Sequence, residues 1–338
     1  MKVLITGGAG YIGSVLSEML IKRGHSVVIL DRFFFGKDVL KNLGNKVKLI
    51  KDDVRFSNPS DFNSIDAVID MAALSNDPSG ELDKKTTLEI NYLGRKRTAA
   101  ISKRKGVRKY VLASSCSVYG FNNELVDERS KVNPLTTYAK ANILAEKATF
   151  SLADRGFSVT ALRQATVYGL SPRMRFDLAI NNITLQFFEK RETNLNRYGK
   201  QWRPFIHVKD TASAFISVIE ENADVVNKEI FNVGSNEQNY QIINVAKIIS
   251  SSIHMPFRKN WVGEPDTRNY RVNFDKIRNT LGFKPRFTPK EGAKEIYNTL
   301  SRGEISGKDP RTITVEWYKN LIKMQQVIKD IELNGFII

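Results

Sequence analysis

Cysteine and histidine are scarce in this chain, which has one cysteine, Cys116, and three dispersed histidines, His25, His207 and His254. A single thiol excludes an internal disulfide and a cysteine-based zinc site, and the scattered imidazoles form no ligand cluster, so no metal is expected. No apolar run approaches the roughly 20 residues of a membrane-spanning helix. The first apolar strand starts beside Met1, so no secretion signal is expected. The expectation is a cytoplasmic protein without a membrane partner. Acidic residues are also short, 36 against 52 Lys and Arg, for a net charge of +16. That excess favours anionic partners such as phosphates. It comes with no recognised nucleic-acid module or aromatic stacking platform, so nucleic acid is not an expected partner. The densest basic stretches, Arg95-Lys96-Arg97 and residues 103–109, flank a predicted helix and its end and read as solvated surface.

What is present is alternation. Apolar runs at 3–6, 27–30, 47–50, 67–71, 110–113 and 159–163 alternate with helical patterns at 12–23, 86–105 and 134–155. Parallel strands joined by crossover helices have this pattern. After Thr166 a Pro/Arg-rich stretch, Ser171-Pro172-Arg173-Met174-Arg175, precedes a helical run at 178–190. The reading is three parts: a nucleotide-binding domain over 1–166, to which later segments can return, a smaller α/β lobe over 167–308, and a helical extension over 309–338. The second part carries short strands near 205–208 and 231–233 and helices near 210–221, 242–252 and 290–300. The extension is read as an amphipathic packing helix ending in the apolar tail Phe336-Ile337-Ile338.

The segment from Lys2 to Gly13 is a buried strand, a glycine turn and a helix start. Gly7 permits the tight turn, Gly10 lets backbone approach a pyrophosphate, and Gly13 allows close helix-strand packing, while the helix N-terminus at Tyr11 and Ile12 attracts the negative charge. The next strand ends in Asp31, placed to accept hydrogen bonds from both ribose hydroxyls. A carboxylate there repels a 2′-phosphate, so NAD is expected over NADP, a preference that the neighbouring Arg32 weakens. The implied fold is a Rossmann-type doubly wound parallel sheet with a smaller C-terminal α/β substrate lobe.

Further along, Asp53-Val54 follows the third strand, Ala72-Ala73 the fourth, and Ser114-Ser115-Cys116-Ser117-Val118-Tyr119-Gly120 the fifth, before Tyr138-Ala139-Lys140-Ala141-Asn142 on the next helix. Here the chain resembles the extended short-chain dehydrogenase/reductase family, in its nucleotide-sugar epimerase and dehydratase group. The resemblance implies that Asp53 and Val54 hold the adenine and that Ala72 and Ala73 let backbone lie against the cofactor. It also puts Ser114 beside the cofactor, Ser115 as the catalytic hydroxyl and Tyr138 as the base. One member is missing, because the family's lysine four residues after the tyrosine is Asn142 here. Lys140 is rotated about 200° from Tyr138 and does not replace it. Deprotonating a free tyrosine at pH 7 costs about 4 kcal/mol, so the loss matters. Oxidised nicotinamide supplies one positive charge, and Asn142 is left to hold the ribose hydroxyls by hydrogen bonds, with help from a lysine elsewhere as an open alternative.

The same resemblance assigns Gln164 to the nicotinamide side and Thr166, where many relatives carry asparagine, to the substrate side. It assigns Arg203, in Gln201-Trp202-Arg203-Pro204, and Arg268, in Asp266-Thr267-Arg268-Asn269-Tyr270, to a nucleotide diphosphate. Arginine suits that task because its planar fork pairs two phosphate oxygens at once. Arg173, Arg175 and Asp177 are further substrate-side candidates. The activity implied is NAD-dependent 4-epimerisation or 4-oxidoreduction of a nucleotide-diphosphate sugar, by a homodimer. Relatives that dehydrate carry an Asp-Glu pair where this chain has Cys116-Ser117, which makes a 4,6-dehydratase the lesser alternative. A decarboxylase of a uronic acid stays open, as does a non-catalytic protein that binds NAD or a sugar nucleotide.

Overall fold

The computed structural model describes residues 1–266 and 268–337; Thr267 of the second arginine segment and Ile338 of the apolar tail lie outside the described residues. Seven parallel strands form the central sheet: β1 Lys2–Thr6, β2 Ser26–Asp31, β3 Val47–Lys51, β4 Ala67–Asp70, β5 Lys109–Ser115, β6 Ser158–Gln164 and β7 Glu229–Val233. Their spatial order is β7-β6-β5-β4-β1-β2-β3. Val3, Leu4 and Ile5 are all fully buried because helices cover both faces of the sheet, which is why these strands read as unbroken apolar runs. The expected strands of this sheet are all found, with ends within two residues of those expected.

The strand order reverses at β1, which pairs β2 on one side, Thr6 against Leu30, and β4 on the other, Thr6 against Asp70. Chains leaving β1 and β4 therefore diverge at their carboxyl ends and open a crevice, the usual ligand position in such sheets. The Thr6 hydroxyl ties the two exits together by donating to Asp70 and accepting from the amides of Met71 and Ala72, each at 3.1 Å.

One strand sits elsewhere than expected. Glu229–Val233, read as part of the second lobe, pairs in parallel with β6 and closes the edge of the main sheet. The helix Val208–Glu220 before it packs on Tyr11–Lys22, so the chain returns to the first domain after leaving it. The second lobe is built on a three-stranded sheet of Thr166–Tyr168, Trp202–His207 and Asn239–Gln241. Its own core gathers Tyr168, Ile183, Phe187, Phe205, Val245 and Ile249.

The C-terminal helix, Thr314–Ile331, departs from the packing role expected of it. Only its first turns pack. Tyr318 meets the rings of Phe34 and Phe35, and the Trp317 indole donates to the Phe34 carbonyl at 2.6 Å. Beyond them the helix stands in solvent with Ile322 58% and Ile331 56% exposed, because among the described residues no element lies opposite its apolar stripe. No helix among the described residues is long and apolar enough to cross a membrane.

Candidate active site

A single cleft of about 570 Å³ runs from the crevice at β1 into the second lobe. Its first end is the glycine turn. Gly7 has φ +69°, and a Cβ there would lie 2.9 Å from the Ala72 amide, so only glycine lets the two exits touch. A Cβ on Gly13 would fall 2.5 Å from the Gly7 carbonyl. Gly10 caps the helix Tyr11–Lys22 without offering a side-chain acceptor, which leaves the first helical amides open to an anion.

Asp31 lines this end. Its two oxygens accept from the amides of Ala9 at 3.0 Å and Phe33 at 2.7 Å, yet burial pushes its carboxyl above the ordinary range. Arg32 turns to Asp53 at 3.0 Å. Against the upward push of burial, Arg55 and Arg32 together hold Asp53 below its ordinary value. Val54, Ala72 and Ala73 complete the wall with Tyr11 and Ile12. The Tyr11 hydroxyl donates to the Gly169 carbonyl at 2.6 Å, clamping the two lobes behind the turn.

In the middle, parallel pairing sets Ser115 beside Gln164. The Ser115 hydroxyl accepts from the Ser117 amide at 3.1 Å, and both serines line the cleft with Tyr138. Ser114 also reaches the lining, but its hydroxyl donates to Glu146 at 2.6 Å. Several buried polar atoms at the cleft lack a protein partner: Gln164 Oε1, Ser117 Oγ, and Nε and Nη1 of Arg173. Such groups are costly when unpaired, and with the glycine cradle they fit a polar, anionic dinucleotide.

Asn142 is a correction. It is 0% exposed and absent from the cleft lining, so it has no access to ribose hydroxyls from where it lies. Its Oδ1 instead accepts from Arg95 at 3.0 Å, and its Nδ2 has no partner. Lys140 is exposed, as the helical rotation predicts. Arg95, read as solvated surface, is the second correction: it is 2% exposed and lines the cleft, whereas Lys96 and Arg97 face solvent.

The far end is lined by arginines that are each paired with an aspartate. Arg203 and Arg268 converge on Asp266, at 3.0 and 2.8 Å, and Arg268 also binds Asp77 of the turn after β4. Arg175 grips Asp177 with two nitrogens at 3.0 and 2.7 Å. Asp177 in turn accepts from Asn76 at 2.7 Å. Thr166 lines the same cleft as these arginines and Ser115. Arg173 diverges from its neighbour and lies over the Phe35 ring at 3.7 Å with Nη2 on Thr314, on the Asp31 side rather than among the diphosphate candidates. Sequence reasoning missed Arg95, Glu146, and the Asn76-Asp77 turn that both lobes bind; Asn76 before Asp77-Pro78 is a helix-cap signal that was readable.

A family model described as the NAD dependent epimerase/dehydratase family matches residues 3–234, and the chain belongs to that family. Its cofactor is accordingly NAD. The chain is 31% identical over 324 residues to the UDP-N-acetyl-alpha-D-glucosaminuronate decarboxylase of Bacillus cytotoxicus, covering 87% of this chain and 96% of that one. It is 28% identical to a putative UDP-glucose 4-epimerase of Methanocaldococcus jannaschii, over 88% and 98% of the two chains. Among solved structures, MoeE5 in complex with UDP-glucuronic acid and NAD superposes with a TM-score of 0.79 at 26% identity, over 90% of this chain and 100% of that one. The UDP-glucuronic acid 4-epimerase of Bacillus cereus reaches 0.81 at 22% identity, over 89% and 99%, a likeness of fold.

Proposed function

We propose that the chain oxidises C4 of a UDP-sugar and acts as an NAD-dependent 4-epimerase or 4-oxidoreductase. The observation that carries this reading is one cleft lined by the glycine turn and Asp31 at one end, Ser115 and Tyr138 in the middle, and Arg203 and Arg268 at the other. NAD, when bound, supplies the acceptor for the C4 hydride and, in an epimerase, the means of its return to the opposite face. Tyr138 takes the O4 proton, with the Ser115 hydroxyl bridging the sugar oxygen and the phenol. Arg268, the more exposed of the two clamps, exchanges Asp266 and Asp77 for the diphosphate, a bidentate acceptor of higher charge.

Dehydration is disfavoured at the neighbouring positions. The Cys116 thiol is buried, directed at the Arg163 carbonyl and pushed up by burial, so it offers neither acid nor base. Ser117 is neutral. Decarboxylation is the second reading, favoured by the relative at 31% identity and by Arg175, a cation in the same cleft for a uronic acid carboxylate.

The test is incubation of purified protein and NAD with UDP-glucose, UDP-glucuronic acid and their N-acetylamino counterparts, with products resolved by chromatography. Appearance of the C4 epimer or of a 4-keto sugar is expected; release of carbon dioxide and a pentose nucleotide selects the second reading. Inertness across the panel with tight NAD binding overturns both and leaves a binding protein. Tyr138→Phe should lower turnover by roughly a hundredfold or more while NAD affinity stays within about twofold.

A further inference from the structure

The floor of the cleft holds a cation that the lysine pattern does not assign. Arg95 opens the helix Arg95–Arg104 directly after a π-helical turn, Glu89–Gly94. Its Nε donates to the Ala72 carbonyl at 3.2 Å, and its Nη1 to the Ala113 carbonyl at 2.9 Å and to Asn142 Oδ1 at 3.0 Å. Ala72 and Ala113 line the cleft with Arg95 itself, and so does Tyr138, which stands one turn before Asn142 on the same helix face.

The charge balance around it is one-sided. All three acceptors are neutral, and among the described residues no carboxylate lies within ion-pair distance of Arg95. Charged groups on the elements packed against the start of Tyr138's helix, and the arginines that share its cleft, are already paired. Arg175 binds Asp177, Arg268 binds Asp77, and Glu81 accepts from the Thr137 amide at 2.7 Å and meets Lys84 at 3.5 Å. Asp70, beyond Arg95, is bonded by Thr6 and Tyr110, and the Tyr110 hydroxyl also reaches the Arg95 carbonyl at 3.2 Å. A guanidinium does not lose its proton in a protein. Buried without a counter-ion, it acts at longer range than a surface charge.

We propose that Arg95 is the positive charge that favours the tyrosinate form of Tyr138, in the place where position 142 supplies only an amide, and that Asn142 serves to position its guanidinium. Arg95 is thus an electrostatic and positioning residue. The proposal rests on the reading of Tyr138 as the base.

Tyrosinate absorbance of the NAD-saturated protein, followed against pH as the difference from a matched Tyr138→Phe background, isolates Tyr138 without requiring turnover. In Arg95→Gln the ionisation should move to higher pH by about one unit or more, and the acidic limb of turnover should move with it. Arg95→Lys and the double variant Arg95→Gln/Asn142→Lys should bring it back towards the parent position. A merely structural role would change melting temperature and NAD affinity and leave the ionisation where it was; an unmoved ionisation in folded Arg95→Gln overturns the proposal. Should that variant not fold, the double variant decides, and ionisation there in the range of a free tyrosine, about 10, overturns it equally. Full turnover in Tyr138→Phe would remove the base reading while leaving the effect of Arg95 on the phenol measurable.

Discussion

Asp31 and Arg173 face one another across the cofactor end of the cleft, and each carries a burial problem that a ligand relieves. Burial raises the Asp31 carboxyl against the pull of its amide donors, and a ribose diol offers it further ones. Asp31→Ala should weaken NAD binding by about tenfold, with NADP binding unchanged or improved, as measured by titration calorimetry with the two dinucleotides. Arg173 has two nitrogens without partners, and burial, followed by Arg175 nearby, pushes its pKa down to about 9. Replacing that charge with a hydrophobe of similar length removes the burial penalty. Arg173→Met is therefore expected to raise the melting temperature of the ligand-free protein while shrinking the further rise on adding NAD. A fall in the ligand-free value would mean that the guanidinium is satisfied after all.

At the scale of elements, the helix Thr137–Phe150 shows how much one face decides. Tyr138, Asn142 and Glu146 recur every four residues, so a single stripe carries the phenol, the tether of Arg95 and the carboxylate that holds Ser114 and Arg163. Glu146 and Arg163 are buried together, and Glu146→Gln leaves a guanidinium unpaired, at about 3 kcal/mol in chemical denaturation. Asp177 gives a pH test in the loop after the strand Thr166–Tyr168. Although burial pushes its carboxyl up, Arg175 holds it below the ordinary value of about 4. Stability from this pair is present in full above that value and is lost as pH falls through the lower folded one. The melting-temperature gap between the parent and Asp177→Asn should be wide at neutral pH and close in acid. The six early strands were legible because burial on both faces writes them as apolar runs. Partners were not: the run at 231–233 announces a strand, and nothing local says that it joins β6. Arg95 was misread because it sits in a run of three basic residues. Its helix phase, shared with Thr98, Ala99 and Ser102, was the contrary signal, and the π-helical turn before it shifted that phase beyond what spacing alone reveals.

For the molecule as a whole, two lobes meet through Arg268 on Asp77, through Asn76 on Asp177 and through Tyr11 on Gly169. The C-terminal helix touches this junction with its first turns alone, since Thr314 and Tyr318 are its buried residues. Removal of residues 321–338 should leave melting temperature and NAD affinity nearly unchanged and improve solubility by deleting exposed apolar side chains. Removal from residue 313 onward strips the cover from Phe34 and Phe35 and should weaken NAD binding measurably.

The indole of Trp317, seated on the Phe34 carbonyl beside the cofactor rim, makes that rim optically addressable. The chain has two other tryptophans, Trp202 and Trp261, both on strands of the second lobe. Emission lost on Trp317→Phe belongs to the dinucleotide end, and what is left reports from the second lobe, the proposed sugar-nucleotide side. The order in which two ligands arrive then becomes a question of colour and time in a stopped-flow trace, with no label attached.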